Sequence, residues 1–404
     1  MTVDTQRRID RFTGIPLCLA VALLRKVLDL LRPDASAPPV RSICVMKFFG
    51  LGSVVLSAPF LHGLRERFPD ARISYLTFEQ NAEALSFFPM VDNVLTISTA
   101  TGWKFVRDTI GVIIRMRAES VDTVFDLEFF AKFSTLLGTL SGARRRVGFA
   151  LPTLWRRWNL TASVPLDRSA HVAVMFQRQL QPFGETTRAA FPAITSTAAD
   201  RVSMANKLGL TENGSPIIVV NINADAVSLE RRWSPERFAA VLRAVAAMRP
   251  GATFFLSGAR TEQTYVAEMI KRWKLPDNVH NVAGALSLGE FVALLERSDV
   301  LLTCDSGPVH FASAVGTPVV ALFGPESPAF YGPLGQSVSV YSGIACSPCL
   351  NIYAAKRFVC PYNARCMDMI SVEEVVEALR RVLGNPRNVR RPDTFLIGTY
   401  SAKT

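Results

Sequence analysis

The residues best placed to do chemistry lie in DVLLTCDSGPVHFASAVGTPVVALFGP (299–325). A buried apolar run ends at Cys304. Asp305 and Ser306 are residue types that cap a following helix, Gly307 lets a ligand approach the backbone, and Pro308 suits a first helical turn. The amides at such a helix start form a diphosphate site, and His310 lies one turn in, able to reach the same anion. A second segment, NINADAVSLERRWSPERF (221–238), supplies Asn223, Arg231 and Arg232 just after another apolar run. Cations there could neutralise a departing phosphate; otherwise the two arginines are a solvated pair. A third, KFFGLGS (47–53), carries Lys47, Gly50, Gly52 and Ser53. Its GxG permits a tight turn against a ligand. The dinucleotide fingerprint GxGxxG fails, because Val55 holds the third glycine position, and this argues against a nicotinamide oxidoreductase.

These segments need strands and helices to position them. RSICVMKF (41–48), RISYLTF (72–78), NVLTI (93–97) and DTVFDL (122–127) read as strands, with helices over about 53–67 and 103–118. A polar stretch at 184–215 separates this half from a second. There PIIVVNI (216–222), ATFFLSG (252–258), DVLLTC (299–304) and PVVALFG (318–324) are strands, and helices fall near 235–248, 261–273, 287–297 and 307–315. SVEE opens a last helix at 371–383 with a capping-box pattern. Alternating strands and helices give an α/β chain of two doubly wound halves facing a cleft, with sites at the carboxyl ends of strands. The expected divisions are a membrane-associating segment and linker at 1–40, domains at 41–190 and 191–385, and a basic tail at 386–404.

Composition agrees with a folded enzyme. Of 404 residues, 49% are hydrophobic and 20% charged, which excludes global disorder. The net charge is +11 and is patchy: residues 141–160 hold Arg144, Arg145, Arg146, Arg156 and Arg157 with no acid. Such a patch points to an anionic partner, a membrane phosphate or a nucleic acid, unless it is merely a solvated face. No recognisable module interleaves aromatic and basic residues, so nucleic acid is the least favoured partner. The run FTGIPLCLAVALL (12–24), with Arg7, Arg8 and Arg11 before it and Arg25 and Lys26 after it, reads as an amphipathic element in a bilayer interface. The alternative is a helix packed on the protein's own surface. No apolar run approaches the ~20 residues of a spanning helix.

Seven cysteines are too few for a disulfide scaffold. Cys18, Cys44 and Cys304 sit in apolar contexts and read as core. Cys346, Cys349, Cys360 and Cys366 begin with a CxxC and could close a structural zinc site, remain reduced, or pair as disulfides.

Together, KFFGLGSVVLSAPFLHGLRERFPDARI, FDLEFFAKFSTLLGTLSGARRRVGF, ERRWSPERF, CDSGPVHFASAVGTPVVALFGP and the tail CSPCL…CMDMISVEEVVEAL resemble glycosyltransferase family nine, the heptosyltransferases of lipopolysaccharide synthesis. The resemblance covers about 41–380. It implies a GT-B enzyme of two Rossmann-like domains, inverting, with no metal or other cofactor for catalysis. It also implies a nucleotide-diphosphate sugar such as ADP-heptose on the second half, and a lipid-linked glycan acceptor on the first. The setting implied is peripheral, on the cytoplasmic face of a bacterial inner membrane. Asp305, Ser306, Gly307 and His310 match the family's donor loop, Arg231 its basic residue near the diphosphate, and Glu262 an acidic position implicated in nucleoside binding. Asn223 lies in a loop that departs from the family pattern. Ser53 stands where the family carries the aspartate that serves as general base, and a hydroxyl is far too weak a base to replace it. Two readings follow: another carboxylate serves, Glu128 first and Glu79 second, or the chain binds sugar nucleotides without turning them over. A nucleotide-sugar epimerase shares the two-domain shape but not these segments.

Overall fold

Each half is built on a parallel sheet whose central strands are buried along their whole length, as strands covered on both faces must be. The computed structural model describes residues 12, 14–30, 39–150, 155–184, 190–210, 215–224, 228–350, 359–384 and 394–396. The chain forms two compact units, 1–190 and 191–404.

In the first unit the strands are β1 (Ser42–Met46), β2 (Arg72–Phe78), β3 (Asn93–Ile97), β4 (Thr123–Asp126), β5 (Arg145–Ala150) and β6 (Ala162–Pro165). They form one parallel sheet in the order β3-β2-β1-β4-β5-β6. The second unit repeats this arrangement with β7 (Ile217–Asn221), β8 (Thr253–Leu256), β9 (Val279–Asn281), β10 (Val300–Cys304), β11 (Val319–Phe323) and β12 (Ser337–Tyr341), ordered β9-β8-β7-β10-β11-β12. Both orders reverse beside the first strand of the unit, and that reversal is where doubly wound sheets take ligands.

Several sequence expectations are corrected. The helix expected over 53–67 is two, Leu51–Val55 and Ala58–Arg67. Pro59 opens the second, where its missing amide and fixed φ are tolerated only in a first turn. The 184–215 stretch contains a helix, Ala198–Leu208, closed by a Thr197–Asp200 capping box. β5 and β6 were not foreseen, because two arginines lead β5 and disguise a buried strand. The last helix, Val372–Gly384, has the expected cap: Ser371 and Glu374 exchange bonds of 2.8 and 3.1 Å. Cys18, Cys44 and Cys304 are core, as expected.

The apolar N-terminal run forms a helix, Gly14–Leu30, that packs on the helix Lys132–Leu140 and on the short segment Trp155–Asn159. Cys18 and Ala22 are buried, and Asn159 Nδ2 donates to the Cys18 carbonyl at 3.1 Å. It is therefore docked on its own protein along one face, while Leu17, Leu23 and Leu24 face outward. Among the described residues no helix is long and apolar enough to cross a membrane. The leading arginines Arg7, Arg8 and Arg11, all of 31–38 and most of the basic tail lie outside the described residues.

Candidate functional site

In the first unit the chain leaves β1 at Lys47 and turns at Gly50, whose φ of 86° lies in the region that favours glycine. The helix Leu51–Val55 follows, with Gly52 buried and Ser53 partly so. β4 runs parallel to β1 and beside it, so the residues after Leu127 reach this loop. Glu128 Oε1 accepts from Lys47 Nζ at 2.8 Å and from the amides of Phe48 at 2.7 Å and Phe49 at 2.9 Å. Lys47 also donates to the Phe49 carbonyl. From β2's side, Asn81 Nδ2 donates to the Phe48 carbonyl at 2.8 Å.

Beneath this clamp lies a second buried carboxylate that the sequence reading missed. Asp126 accepts from Ser134 Oγ at 2.9 Å, Thr135 Oγ1 at 3.0 Å, Arg156 Nη2 at 2.6 Å and the Glu128 amide at 3.1 Å. Arg156 is fully buried and also bonds the Glu128 carbonyl. Burial pushes the Asp126 carboxyl up, and Arg156 opposes it. The five arginines of 141–160 are thus no uniform solvated patch: Arg156 and Arg146 are interior, while Arg144 and Arg157 are exposed. The available signal for Arg156 was its setting between two tryptophans, which fits a packed segment.

Glu128 is therefore a clamp on the loop, its Oε1 already holding an ammonium and two amides. Glu79, the second carboxylate singled out, begins the 3₁₀ segment Glu79–Phe87 after β2 and is exposed.

In the second unit the equivalent strand ends are β7 and β10, neighbours in the sheet. Asp305 follows β10 and is buried. Arg231 Nη1 reaches its carboxylate at 3.3 Å and its carbonyl at 3.1 Å. Burial pushes the Asp305 carboxyl up, and Arg231 pulls it back. Arg232 places its guanidinium 4.9 Å from the Tyr265 ring centre, so the two arginines are not a solvated pair. Trp233, fully buried, locks the segment by donating to the Ile370 carbonyl at 3.2 Å.

The helix Gly307–Val315 starts at Ser306, but no side chain caps it. Ser306 Oγ pairs instead with Thr303 Oγ1 at 2.9 Å, and Asp305 is occupied by Arg231. The expected capping roles of Asp305 and Ser306 are corrected: both brace the turn, and the helix start is left without a side-chain acceptor. Pro308 offers no amide there. His310 is buried one turn in, its ring 6.4 Å from that of Tyr331.

Asn223, just past β7, is 2% exposed, and neither its Oδ1 nor its Nδ2 has a partner among the described residues. A Cβ on Gly258 would stand 2.9 Å from Glu262 Oε2 and 3.4 Å from Asn223 Nδ2, so Gly258 keeps open a space these three share. Glu262 Oε2 accepts from the Ala259 amide at 2.7 Å, which fixes the carboxylate at the rim. Asn223, Glu262, Asp305, Ser306, Gly307, His310 and Arg231 thus all belong to loops at the carboxyl end of one sheet. Gly258 was missed, though its place after β8 was the available signal.

The four clustered cysteines are free thiols: Cys346 is exposed, Cys349 and Cys360 part-buried, Cys366 buried. Burial and the neighbouring Cys349 push the Cys366 thiol up to about 11, so it stays protonated at neutral pH. Among the described residues no group of side chains is arranged to hold a metal ion, and this geometry does not supply the zinc site considered from spacing.

Two doubly wound parallel sheets, the second with a helix start at its strand reversal that no side chain caps, are the fold of the GT-B class. The model of glycosyltransferase family 9 (heptosyltransferase) matches residues 112–357, and the chain belongs to that family. It is similar to lipopolysaccharide heptosyltransferase 3 of Escherichia coli K12, 24% identical over 293 residues that cover 71% of this chain and 83% of that one. Among solved structures, a family 9 glycosyltransferase from Veillonella parvula superposes with a TM-score of 0.70 at 24% identity, covering 86% of this chain and 99% of that one. The E. coli ADP-heptose lipopolysaccharide heptosyltransferase II gives 0.68 at 20% identity, covering 85% and 98%.

Proposed function

We propose that this protein transfers a heptose or a related sugar from a nucleotide-diphosphate donor, ADP-heptose first among them, to a lipopolysaccharide-type glycan, inverting the anomeric centre without a catalytic metal. The observation that carries the reading is the polar pocket of the second unit. Asn223 has its amide buried with no partner among the described residues, Arg231 is held beside the uncapped helix start, and Gly258 keeps the floor open. A diphosphate supplies the acceptors such a helix start lacks, and a nucleoside can satisfy the Asn223 amide and the remaining oxygen of Glu262. Arg231 and His310 would stabilise charge on the leaving nucleotide.

The acceptor is assigned to the first unit, with Lys47, Gly50, Gly52 and Ser53 in its loop. Glu128 fixes that loop, and Glu79 is the freer carboxylate to take a proton from an acceptor hydroxyl. Residues 1–40 are assigned to the membrane side, which places the enzyme on the cytoplasmic face where lipid-linked glycans are extended.

The test is transfer from a panel of nucleotide sugars to core-truncated lipopolysaccharides, read by mass, with donor binding measured separately. ADP-heptose is expected to give a product one heptose heavier, and Glu79→Gln to abolish transfer while donor still binds. Full transfer by Glu79→Gln removes that residue from the chemistry. Donor binding without transfer to any acceptor rejects the enzyme reading in favour of a sugar-nucleotide-binding protein, which Ser53 in place of a carboxylate would then explain.

A further inference from the structure

The helix Gly102–Ala118 joins β3 to β4 and turns Val112 and Met116 into the core of the first sheet. A surface helix of this kind ordinarily shows water a charged opposite face. Here that face carries Trp103, 74% exposed, with Val106 at 48%, Ile110 at 53% and Ile114 at 62%. At 3.6 residues per turn these four fall within an arc of about 80°, a continuous apolar stripe along most of the helix. Isolated exposed apolar residues need no explanation, but an aligned row of four large ones marks a contact surface.

The charges around the stripe say what it meets. The helix holds Lys104, Arg107, Arg115 and Arg117, all exposed, against one acid, Asp108. Arg107 is paired with Asp108 and Arg115 with Glu119. Asp108 is shared between Arg107 and Lys104, so the helix keeps a net positive charge, with Lys104 beside Trp103 and Arg117 a turn past Ile114. A second copy docking stripe to stripe would set like charges together in either direction. Parallel pairing puts Lys104 on Lys104, and antiparallel pairing puts Lys104 on Arg117. Lipid phosphates neutralise both ends, and an indole at the edge of an apolar face suits the level of the headgroups.

The stripe shares its side of the sheet with the N-terminal helix. The crossovers β3 to β4 and β4 to β5 run in the same direction, so right-handed connections lay Gly102–Ala118 and Lys132–Leu140 on one face. The helix Gly14–Leu30 packs on the latter, with Leu17, Leu23 and Leu24 outward.

We infer that the Trp103–Val106–Ile110–Ile114 stripe is a docking surface for an anionic lipid bilayer, with Lys104 and Arg117 on its phosphates. The inference deepens the membrane-side assignment made above and rests on it. It moves the main contact from the N-terminal segment to a helix that is integral to the first sheet.

Four full-length proteins decide it, sedimented with vesicles of phosphatidylglycerol and phosphatidylethanolamine and with phosphatidylcholine vesicles: the wild type, Trp103→Ser/Ile110→Ser/Ile114→Ser, Leu17→Ser/Leu23→Ser/Leu24→Ser, and Lys104→Glu. The altered side chains are all surface-exposed, so melting temperature and donor affinity should match the wild type and report an intact fold. The stripe variant is expected to lose about tenfold or more in partition onto anionic vesicles. The charge variant Lys104→Glu is expected to weaken binding to anionic vesicles and leave the weak binding to phosphatidylcholine unchanged. If the stripe variant binds like the wild type while the leucine variant is released, the inference is wrong and the N-terminal anchor stands. If the wild type ignores all vesicles, the membrane-side assignment fails with it. If the stripe variant changes only the sedimentation mass of the free protein, the stripe is a self-association face and the inference is overturned.

Discussion

The two units present the same strand order at their ligand-binding edge but opposite electrostatic states. At the end of β1 and β4 the carboxylates are satisfied by the chain, Glu128 taking three donors and Asp126 four, although Arg156 Nε has no partner among the described residues. At the end of β7 and β10 the buried Asn223 amide has no partner among the described residues, and the helix after Ser306 has no side-chain cap. Unpaired buried polar groups cost free energy unless something fills them, so the second edge is the one a ligand would complete. The first edge is closed by the chain itself.

If the first edge is closed for structural reasons, breaking it should cost the most. Arg156→Met strands Asp126 in the interior and is expected to lower stability by about 3–5 kcal/mol in denaturant titration. A loss under 1 kcal/mol would mean the network is not what holds that edge. Next come Arg231→Ala and His310→Ala, each expected to weaken donor binding by about 1–3 kcal/mol in calorimetry. Unchanged affinity in both would move the diphosphate away from Gly307. Asn223→Ala sharpens the contrast further, because its amide makes no bond to lose in the free protein. Its melting temperature should hold or rise, while donor affinity drops by about 1 kcal/mol.

The smallest effect concerns a closed cluster of the second unit that lies off the strand reversal. Burial pushes Glu290 up, but bonds from Lys207, Ser203 and the Ser287 amide outweigh it and hold the carboxyl at about 2. A folded value below the unfolded one stabilises above the unfolded value and is lost as pH falls. The contribution should therefore fade between about pH 5 and pH 2. It should amount to roughly 1 kcal/mol, because Lys207 is half exposed and its attraction is screened. Glu290→Gln should flatten that part of the acid unfolding profile.

The second edge was legible in the sequence because its chemistry is local. Asp305, Ser306, Gly307 and His310 span six residues, and Arg231 sits in its own short motif. The first edge was legible only through topology. The strand reversal beside β1 brings Glu128 to the glycine loop, but its role comes from contacts with Lys47, 81 residues away, and the spacing of charges does not encode those. Arg156 and Asp126, 30 residues apart, were invisible for the same reason. The N-terminal run was read by its apolar character alone. One of its faces turned out to be covered by Lys132–Leu140, which apolarity cannot distinguish from lipid.

The segment Trp155–Asn159 works as a strut. At one end Arg156 grips the β4 terminus through Asp126 and the Glu128 carbonyl. At the other, Asn159 holds the backbone of the Gly14–Leu30 helix and is itself held by Arg146. A pull on that helix is thus delivered, through the side chains of Asn159, Arg156 and Glu128, to the turn that follows β1. Load and recoil should pass along this path without deforming the sheet. In hydrogen exchange the helix, the strut and the amides of Phe48 and Phe49 should open as one event rather than in sequence.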